Sequence, residues 1–368
     1  MMRIAIDARL VSYVQGGTSR YTLRLVQAMA GLVDRETLLV LEGKHTGESP
    51  AWPENVRRAQ ILTPPHHRME QITLPIELLL LGADLLHSTD FIPPFRRTCR
   101  SVITIHDLAF LRFPQLLTPE SSRYYRQVGR AVQSADAVIA VSEATRRDVL
   151  DLLKADPAKV TVVYEAASPE CVPLPTDEVE ASRARLGLPE RFALFVGTIE
   201  PRKNLPVLLR AYAQVWEEHR LPLVVVGRKG WLYEEVFRTR DSLGLKDEVQ
   251  FVGSVGGDQL VHYYNCADCL VLPSLYEGFG LPVLEAMACG KPVVVSNVSS
   301  LPEIVSDAGL LVEPEDIEGF AAAIGRLLGN PELRDELGKK ALARSAQFSW
   351  ERAARETLDL YHRVLAKR

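Results

Sequence analysis

A repeating alternation restricts how this chain can fold. Along its 368 residues, short runs of apolar, mostly β-branched residues recur, each followed by a stretch long enough for a helix. "MRIAIDARL", "LLVLEG", "LLHSTD", "SVITIHDL", "AVIAVS" and "VTVVYE" form one series. "FALFVGT", "PLVVVGR", "VQFVGS", "CLVLPS", "PVVVSN" and "GLLVEP" form a second. Runs without polar alternation read as strands buried on both faces, and parallel strands need crossover helices to cover those faces. Two such series predict two doubly wound α/β domains, which also suits a length too great for one ordinary core. The proline-rich, acidic stretch "SPECVPLPTDEVE" places the seam within 168–190. The expected domains are therefore 1–170 and 171–349. "FSWERAARETLDLYHRVL" reads as one amphipathic helix capped by Ser349, able to dock on either domain.

Charge excludes some partners. With 43 Lys and Arg against 47 Asp and Glu, the net charge is −4, which gives no electrostatic footprint for nucleic acid. "MMRIAIDARLV" carries Arg3, Asp7 and Arg9 and is no signal peptide. "LPIELLLLGADLL" is short and holds Glu77 and Asp84, so it does not span a bilayer. The five cysteines are scattered, which suits a reducing, cytoplasmic setting. Cys266 and Cys269 form a lone C-x-x-C, read as small packed residues rather than a zinc site. Residues 96–147 carry nine basic against four acidic side chains. There Arg123, Arg126 and Arg130 fall on one helical face, either a solvated face or a contact for an anionic membrane or lipid-diphosphate acceptor.

The chemistry concentrates in "LYEGFGLPVLEAMACGKPVV" (275–294). "ADCLVLPS" is a strand, "LYEGFG" the loop after it, and Pro282 suits the first helical position, where no N–H is needed. Phe279, Gly280 and Leu281 then lie where open α/β sheets bind ligands, and the amides from Gly280 to Val283 offer an anion site. Glu277 and Glu285 would repel an anion, so they are read as acceptors for sugar hydroxyls on either side of it. Positive charge comes from "EPRKN", where Arg202 and Lys203 follow another strand. A ligand with hydroxyls flanking a phosphate group fits this set: a nucleoside diphosphate sugar.

The pair Glu277 and Glu285 with G-F-G-L-P between them resembles the E-x7-E motif of the retaining glycosyltransferases of family 4. The resemblance covers nearly the whole chain, with "QGGTSRY" near the start, "HD" at 106–107 and "EPRKN" after the seam. It implies the GT-B architecture, two Rossmann-like domains facing across a cleft, with the last helix (350–368) returning to the first, acceptor-binding domain. It implies that Glu285 binds the donor ribose and that Glu277 lies by the donor sugar. Amides of Phe279, Gly280 and Leu281 would serve sugar and phosphate, and Arg202 and Lys203 would neutralise the diphosphate. Gly16 and Gly17 would approach the donor or acceptor, and His106 would touch the transferred sugar. One position departs from the pattern: many members carry Arg directly after the strand-ending glycine, where this chain has Thr198.

The implied reaction is retaining transfer of a hexosyl group, mannose first, from GDP-mannose or a UDP-glucose-type donor. The acceptor is a hydroxyl of a glycan or of a lipid-linked acceptor, at the inner face of a membrane if lipid-linked. No strict D-x-D occurs, so no metal and no cofactor is expected. A nucleotide-sugar epimerase and a non-catalytic nucleotide-sugar-binding subunit are the alternatives.

Overall fold

The computed structural model describes residues 2–11, 16–34, 36–43, 51–67, 69–116 and 124–367. It divides into two compact units, Met1–Glu165 with Ser349–Arg368, and Ala166–Phe348.

The first unit is built on β1 (Met2–Asp7), β2 (Glu36–Glu42), β3 (Arg57–Gln60), β4 (Leu85–Ser88), β5 (Arg100–Ile105), β6 (Ala137–Ala140) and β7 (Val160–Val162). These pair in parallel in the order β3-β2-β1-β4-β5-β6-β7. Chain order reverses between β1 and β4, which opens a crevice at their carboxyl ends. Strand β3 belongs to none of the apolar runs. It is an edge strand reading RRAQ, with only Ala59 buried, so it lacks the continuous apolar signature. The helix Trp350–Ala366 belongs to this unit and packs on the helix Gly17–Ala30. Ser349 caps it by accepting from the Arg352 amide at 3.1 Å.

The second unit repeats the plan with β8 (Ala193–Val196), β9 (Leu223–Val226), β10 (Val249–Gly253), β11 (Cys269–Leu272), β12 (Val293–Ser296) and β13 (Leu310–Val312). The order is β10-β9-β8-β11-β12-β13, again all parallel, with the reversal between β8 and β11. Every residue of β8, β9, β11 and β12 is buried, because helices cover both faces. The two units divide between Glu165 and Ala166, just before the stretch expected to hold the seam. Residues Thr176–Leu186 form a helix within the second unit, resting on the helix Gly257–Cys266, and Ser182 is its one buried side chain. A helix that buries so little reads as linker by composition.

Cys266 and Cys269 are free thiols buried in this core, and burial pushes Cys269 up to about 12. Among the described residues no helix is long and apolar enough to cross a membrane. The apolar window at 74–86 ends a 12-residue helix, Glu70–Leu81. Arg123 lies outside the described residues. The expected single helical face is interrupted: Arg126 sits in a turn, and the helix carrying Arg130 begins at Val128. The Arg130 guanidinium lies 4.2 Å from the Phe95 ring centroid.

Candidate active site

In the second unit the two strands flanking the reversal, β8 and β11, carry the loops that the sequence singles out. After β8 the chain turns once through Pro201–Lys203 and enters the helix Leu205–His219. After β11 it forms a loop and enters the helix Leu281–Ala288. The Leu275 amide donates to the Arg202 carbonyl at 2.8 Å, so the backbones of the two loops are joined.

This junction brings Arg202, Lys203 and Glu277 together. Lys203 Nζ donates to Glu277 Oε1 at 2.6 Å, and Arg202 Nη1 lies 3.5 Å from Oε2. Arg202 is also held by Glu200 through Nη2 at 2.9 Å and by the Tyr276 carbonyl at 3.1 Å. The Ser274 hydroxyl donates to Glu277 Oε1 at 2.6 Å. Burial pushes the Glu277 carboxyl up, but the Lys203 and Arg202 charges outweigh it, and the net shift is below the usual range. The sequence pattern reserves both cations for a diphosphate and Glu277 for a sugar. In the structure the three side chains pair with one another and with Glu200, so the cluster is nearly neutral.

Backbone geometry fixes the loop between the two glutamates. Gly280 caps the helix at φ 99°, a left-handed conformation that favours glycine, and an added Cβ would come 2.8 Å from Leu301 Cδ2. The Gly280 and Leu281 amides have no acceptor among the described residues. Pro282 has no N–H, and the Val283 amide donates to the Gly280 carbonyl at 2.9 Å, so Val283 is not the free donor that the sequence suggested. Serines after β12 brace the loop from the side. Ser299 Oγ accepts from the Glu277 amide at 2.8 Å, and Ser300 Oγ lies 3.0 and 2.9 Å from the Glu277 and Phe279 carbonyls.

Glu285, one turn into that helix, is held apart from this cluster. The Tyr264 hydroxyl donates to Oε2 at 2.8 Å, and Ser168 Oγ lies 3.4 Å from Oε1. Beside β8, Gly227 at the end of β9 has φ 156°, and a Cβ there would lie 1.8 Å from the Gly197 carbonyl oxygen. The loop through Thr198 therefore runs directly against β9, with the Ile199 amide on the Arg228 carbonyl at 2.9 Å.

In the first unit His106 follows β5. Its Nδ1 lies 2.9 Å from Glu165 Oε1 and its Nε2 3.0 Å from the Thr89 carbonyl. A carbonyl only accepts, so Nε2 carries a proton. Burial lowers the imidazole pKa, but the Glu165 carboxylate outweighs it and the net shift is upward. Both ring nitrogens are thus engaged within the unit, and the sequence did not identify Glu165 as their partner. Gly17 opens its helix with open space where a Cβ would stand, no atom coming within 4 Å, and Gly16 is the extended cap before it.

A second cluster at the β1–β4 crevice was missed by sequence reasoning. Arg9, almost fully buried, bonds Asp7 Oδ1 at 2.8 Å through Nε, and also Glu70 and the Thr63 and Pro64 carbonyls. Asp90 accepts from His66 at 2.6 Å and from the Tyr124 hydroxyl at 3.3 Å. Burial raises Asp7 but Arg9 outweighs it, so Asp7 stays below its ordinary range, whereas burial leaves Glu70 above its own. The signal available was "IDARL", a charged pair directly at a strand end.

Comparison with known proteins agrees with this architecture. The family model described as Glycosyltransferase Family 4 matches residues 15–170, and that described as Glycosyl transferases group 1 matches 178–344. The chain is 31% identical over 380 residues to O-antigen chain mannosyltransferase B of Escherichia coli, covering 98% of this chain and 99% of that one. Among solved structures, sucrose-phosphate synthase from Thermosynechococcus elongatus superposes with a TM-score of 0.82 at 24% identity, covering 100% of both chains. Anabaena HepE, solved in complex with UDP-glucose, superposes at 0.76 with 20% identity, covering 98% of this chain and 100% of that one. At these identities the structural likenesses speak for the GT-B fold alone. The sequence match speaks for more: the chain belongs to glycosyltransferase family 4 and is a mannosyltransferase-like glycosyltransferase.

Proposed function

We propose that this enzyme transfers a mannosyl group from GDP-mannose to a hydroxyl of a glycan or lipid-linked acceptor, with retention of configuration and without a metal ion. The cluster of Arg202, Lys203 and Glu277 beside the free Gly280 and Leu281 amides supports this reading. An ammonium has three donors, and Lys203 gives one to Glu277, which leaves two for a diphosphate oxygen. The helix start adds its amides and dipole to the same charge. As the sugar–phosphate bond breaks, negative charge grows on the leaving diphosphate, and these fixed donors stabilise it. Glu277 can then release a cation to the phosphate and face the sugar, and Glu285 accepts from the ribose hydroxyls. His106 trades the Thr89 carbonyl for a sugar hydroxyl at Nε2, with Glu165 orienting the ring through Nδ1. Asp7 and Asp90 at the β1–β4 crevice accept from hydroxyls of the acceptor.

Mannose is placed first because the full-length relative is named a mannosyltransferase. UDP-glucose is the second donor, supported by the complex named for the Anabaena structure. We place the enzyme in the cytoplasm, at the inner membrane face if its acceptor is lipid-linked.

A thermal-shift screen of nucleotide sugars tests the donor. GDP-mannose should raise the melting temperature most, and Glu285→Ala should abolish the shift; a shift that survives removes Glu285 from the ribose. Proton NMR of the first-formed glycoside tests retention, and activity in excess EDTA tests metal independence. Donor incubated alone should give no epimer, whereas an epimer would make the enzyme an isomerase. Binding without transfer to any glycan or lipid-linked acceptor would leave a nucleotide-sugar-binding subunit.

A further inference from the structure

The donor loops occupy one edge of the six-stranded sheet. At the opposite edge, by the amino ends of β8, β11 and β12, the second unit opens into a pocket of about 630 Å³. Pro173, Leu174 and Leu342 contribute apolar wall. Part of its charge is accounted for internally. Asp268 receives Arg191 Nε at 3.2 Å and Arg334 Nε at 3.6 Å, and both arginines also donate to the Leu328 carbonyl, at 3.0 and 2.9 Å.

Arg183 and Lys291 have no such account. Neither side chain makes a hydrogen bond or ion pair with a described residue, and Arg183 Nε is buried with no acceptor. Buried polar groups in native proteins are almost always satisfied, so an orphaned guanidinium donor needs an explanation. Arg183 lies in the last turn of the helix Thr176–Leu186, and Lys291 follows the end of the helix Leu281–Ala288. The carbonyl ends of those helices favour positive charge, but they leave the Nε–H unmet and point two like charges into one pocket. Burial lowers the Lys291 pKa, Cys289 and Asp268 oppose that, and the Arg183 charge adds to it. Lys339 adds a third cation to the lining, against the exposed acids Glu190 and Asp335.

We propose that this pocket is a second anion site, in which Arg183 and Lys291 hold the phosphate group of a phosphorylated small molecule. A guanidinium fork offers two parallel donors to phosphate oxygens, and a lysine adds a mobile point charge. The anion would satisfy the orphaned donor and separate the two cations, while the apolar wall would carry the rest of the molecule. The assignment stands independently of the donor site, since none of its residues belongs to that cluster.

Inorganic phosphate is the probe. Calorimetric titration of the intact protein should show binding that weakens at least about tenfold in Arg183→Gln/Lys291→Met. Because the donor cluster can also hold phosphate, a local readout is needed. Phosphate should protect Lys291 from acetylation in wild type, read by mass spectrometry, and should not protect it in Arg183→Gln. In phosphate-free buffer Lys291→Met should melt higher than wild type, since it removes one of two facing charges. An isotherm unchanged by the double substitution, or equal labelling of Lys291 with and without phosphate, overturns the site. A hexose phosphate and a nucleoside diphosphate, run in the same protection assay, then tell which carrier the apolar wall prefers over free phosphate.

Discussion

The buried pair of Lys203 and Glu277 decides most at the scale of single residues. Breaking such a pair from one side leaves an uncompensated charge and costs about 3–5 kcal/mol. Lys203→Met should therefore destabilise the second unit by about that much, whereas Arg202→Met, more exposed and with its charge replaced in part by Lys203, should cost well under half as much. Combining Lys203→Met with Glu277→Gln should recover part of the loss, a non-additivity measurable by urea denaturation; full additivity would show the pair to be uncoupled. The sign of the pH dependence follows from the depressed Glu277 pKa. Its contribution is present above the ordinary glutamate value of about 4.3 and is lost as pH falls through the lowered one. Gly227→Ala is a second test, because its Cβ would strike a backbone oxygen that cannot rotate away. It should cost about 3 kcal/mol or more. Arg202, Lys203, Glu277 and Glu285 were legible in the sequence because strand-end position and charge announce them. Glu165 and Ser299 were not, since each acts through a contact made only after the chain returns from elsewhere; Glu200 and Ser274 bond Arg202 and Glu277 two and three residues on, but a glutamate or serine in a loop carries no signal of which way it turns.

The helix Leu281–Ala288 is the element on which the donor reading turns. Its start is set by Gly280 in a left-handed conformation against Leu301, and by Pro282, and the Gly280 and Leu281 amides have no acceptor among the described residues. Gly280→Ala strains the backbone by about 1–3 kcal/mol and moves Leu301 or the helix start. Donor affinity should fall by more than the loss of stability accounts for, because the open amides turn with the helix. Comparing the donor-induced thermal shift with the melting temperature in its absence checks this, and equal donor affinity in both proteins would take the helix start out of the site. Elements of this kind were readable wherever the fold buries them on both sides. The four-residue strands β8, β9, β11 and β12 are fully buried, so their apolar runs stood out. Strand β3 and the helix Thr176–Leu186 bury one side chain each and carry charge elsewhere, so composition assigned them to loop and linker. Topology was readable for a different reason. Parallel strands joined by helices admit few orders, and the reversal point then fixes which loops share an edge.

Across the whole molecule, the first unit is completed by chain that follows the second, and its shifted histidines set how that arrangement responds to pH. The helix Trp350–Ala366 seals His87: its Tyr361 hydroxyl lies 2.5 Å from His87 Nδ1, and Thr104 Oγ1 lies 2.8 Å from Nε2. Burial, reinforced by the charge of His106 and opposed by Asp7, lowers the His87 pKa to about 3. The unfolded chain protonates this imidazole at about 6.5. Between those values the unfolded state binds the extra proton, so stability falls steadily as pH drops below about 6.5. His106 works in the opposite sense. Its folded pKa is raised, so its contribution is complete below about 6.5 and is lost as pH rises through the raised value. The first unit should thus be most stable near pH ~6.5, with an acid limb owed to His87 and an alkaline limb shared by His106 and His66, whose pKa burial lowers but its Asp90 partner raises on balance. Protonating His87 turns its one accepting nitrogen into a donor, so whichever of the Tyr361 and Thr104 hydroxyls donates to it must turn away, and acid should release the last helix before the sheet opens. Hydrogen exchange followed by mass spectrometry at about pH 5 should show residues 350–366 losing protection first. His106→Gln should weaken the alkaline limb and also shorten the acid limb, because the His106 charge helps to depress His87. If the helix keeps its protection until the whole first unit unfolds, His87 is not the group that holds it.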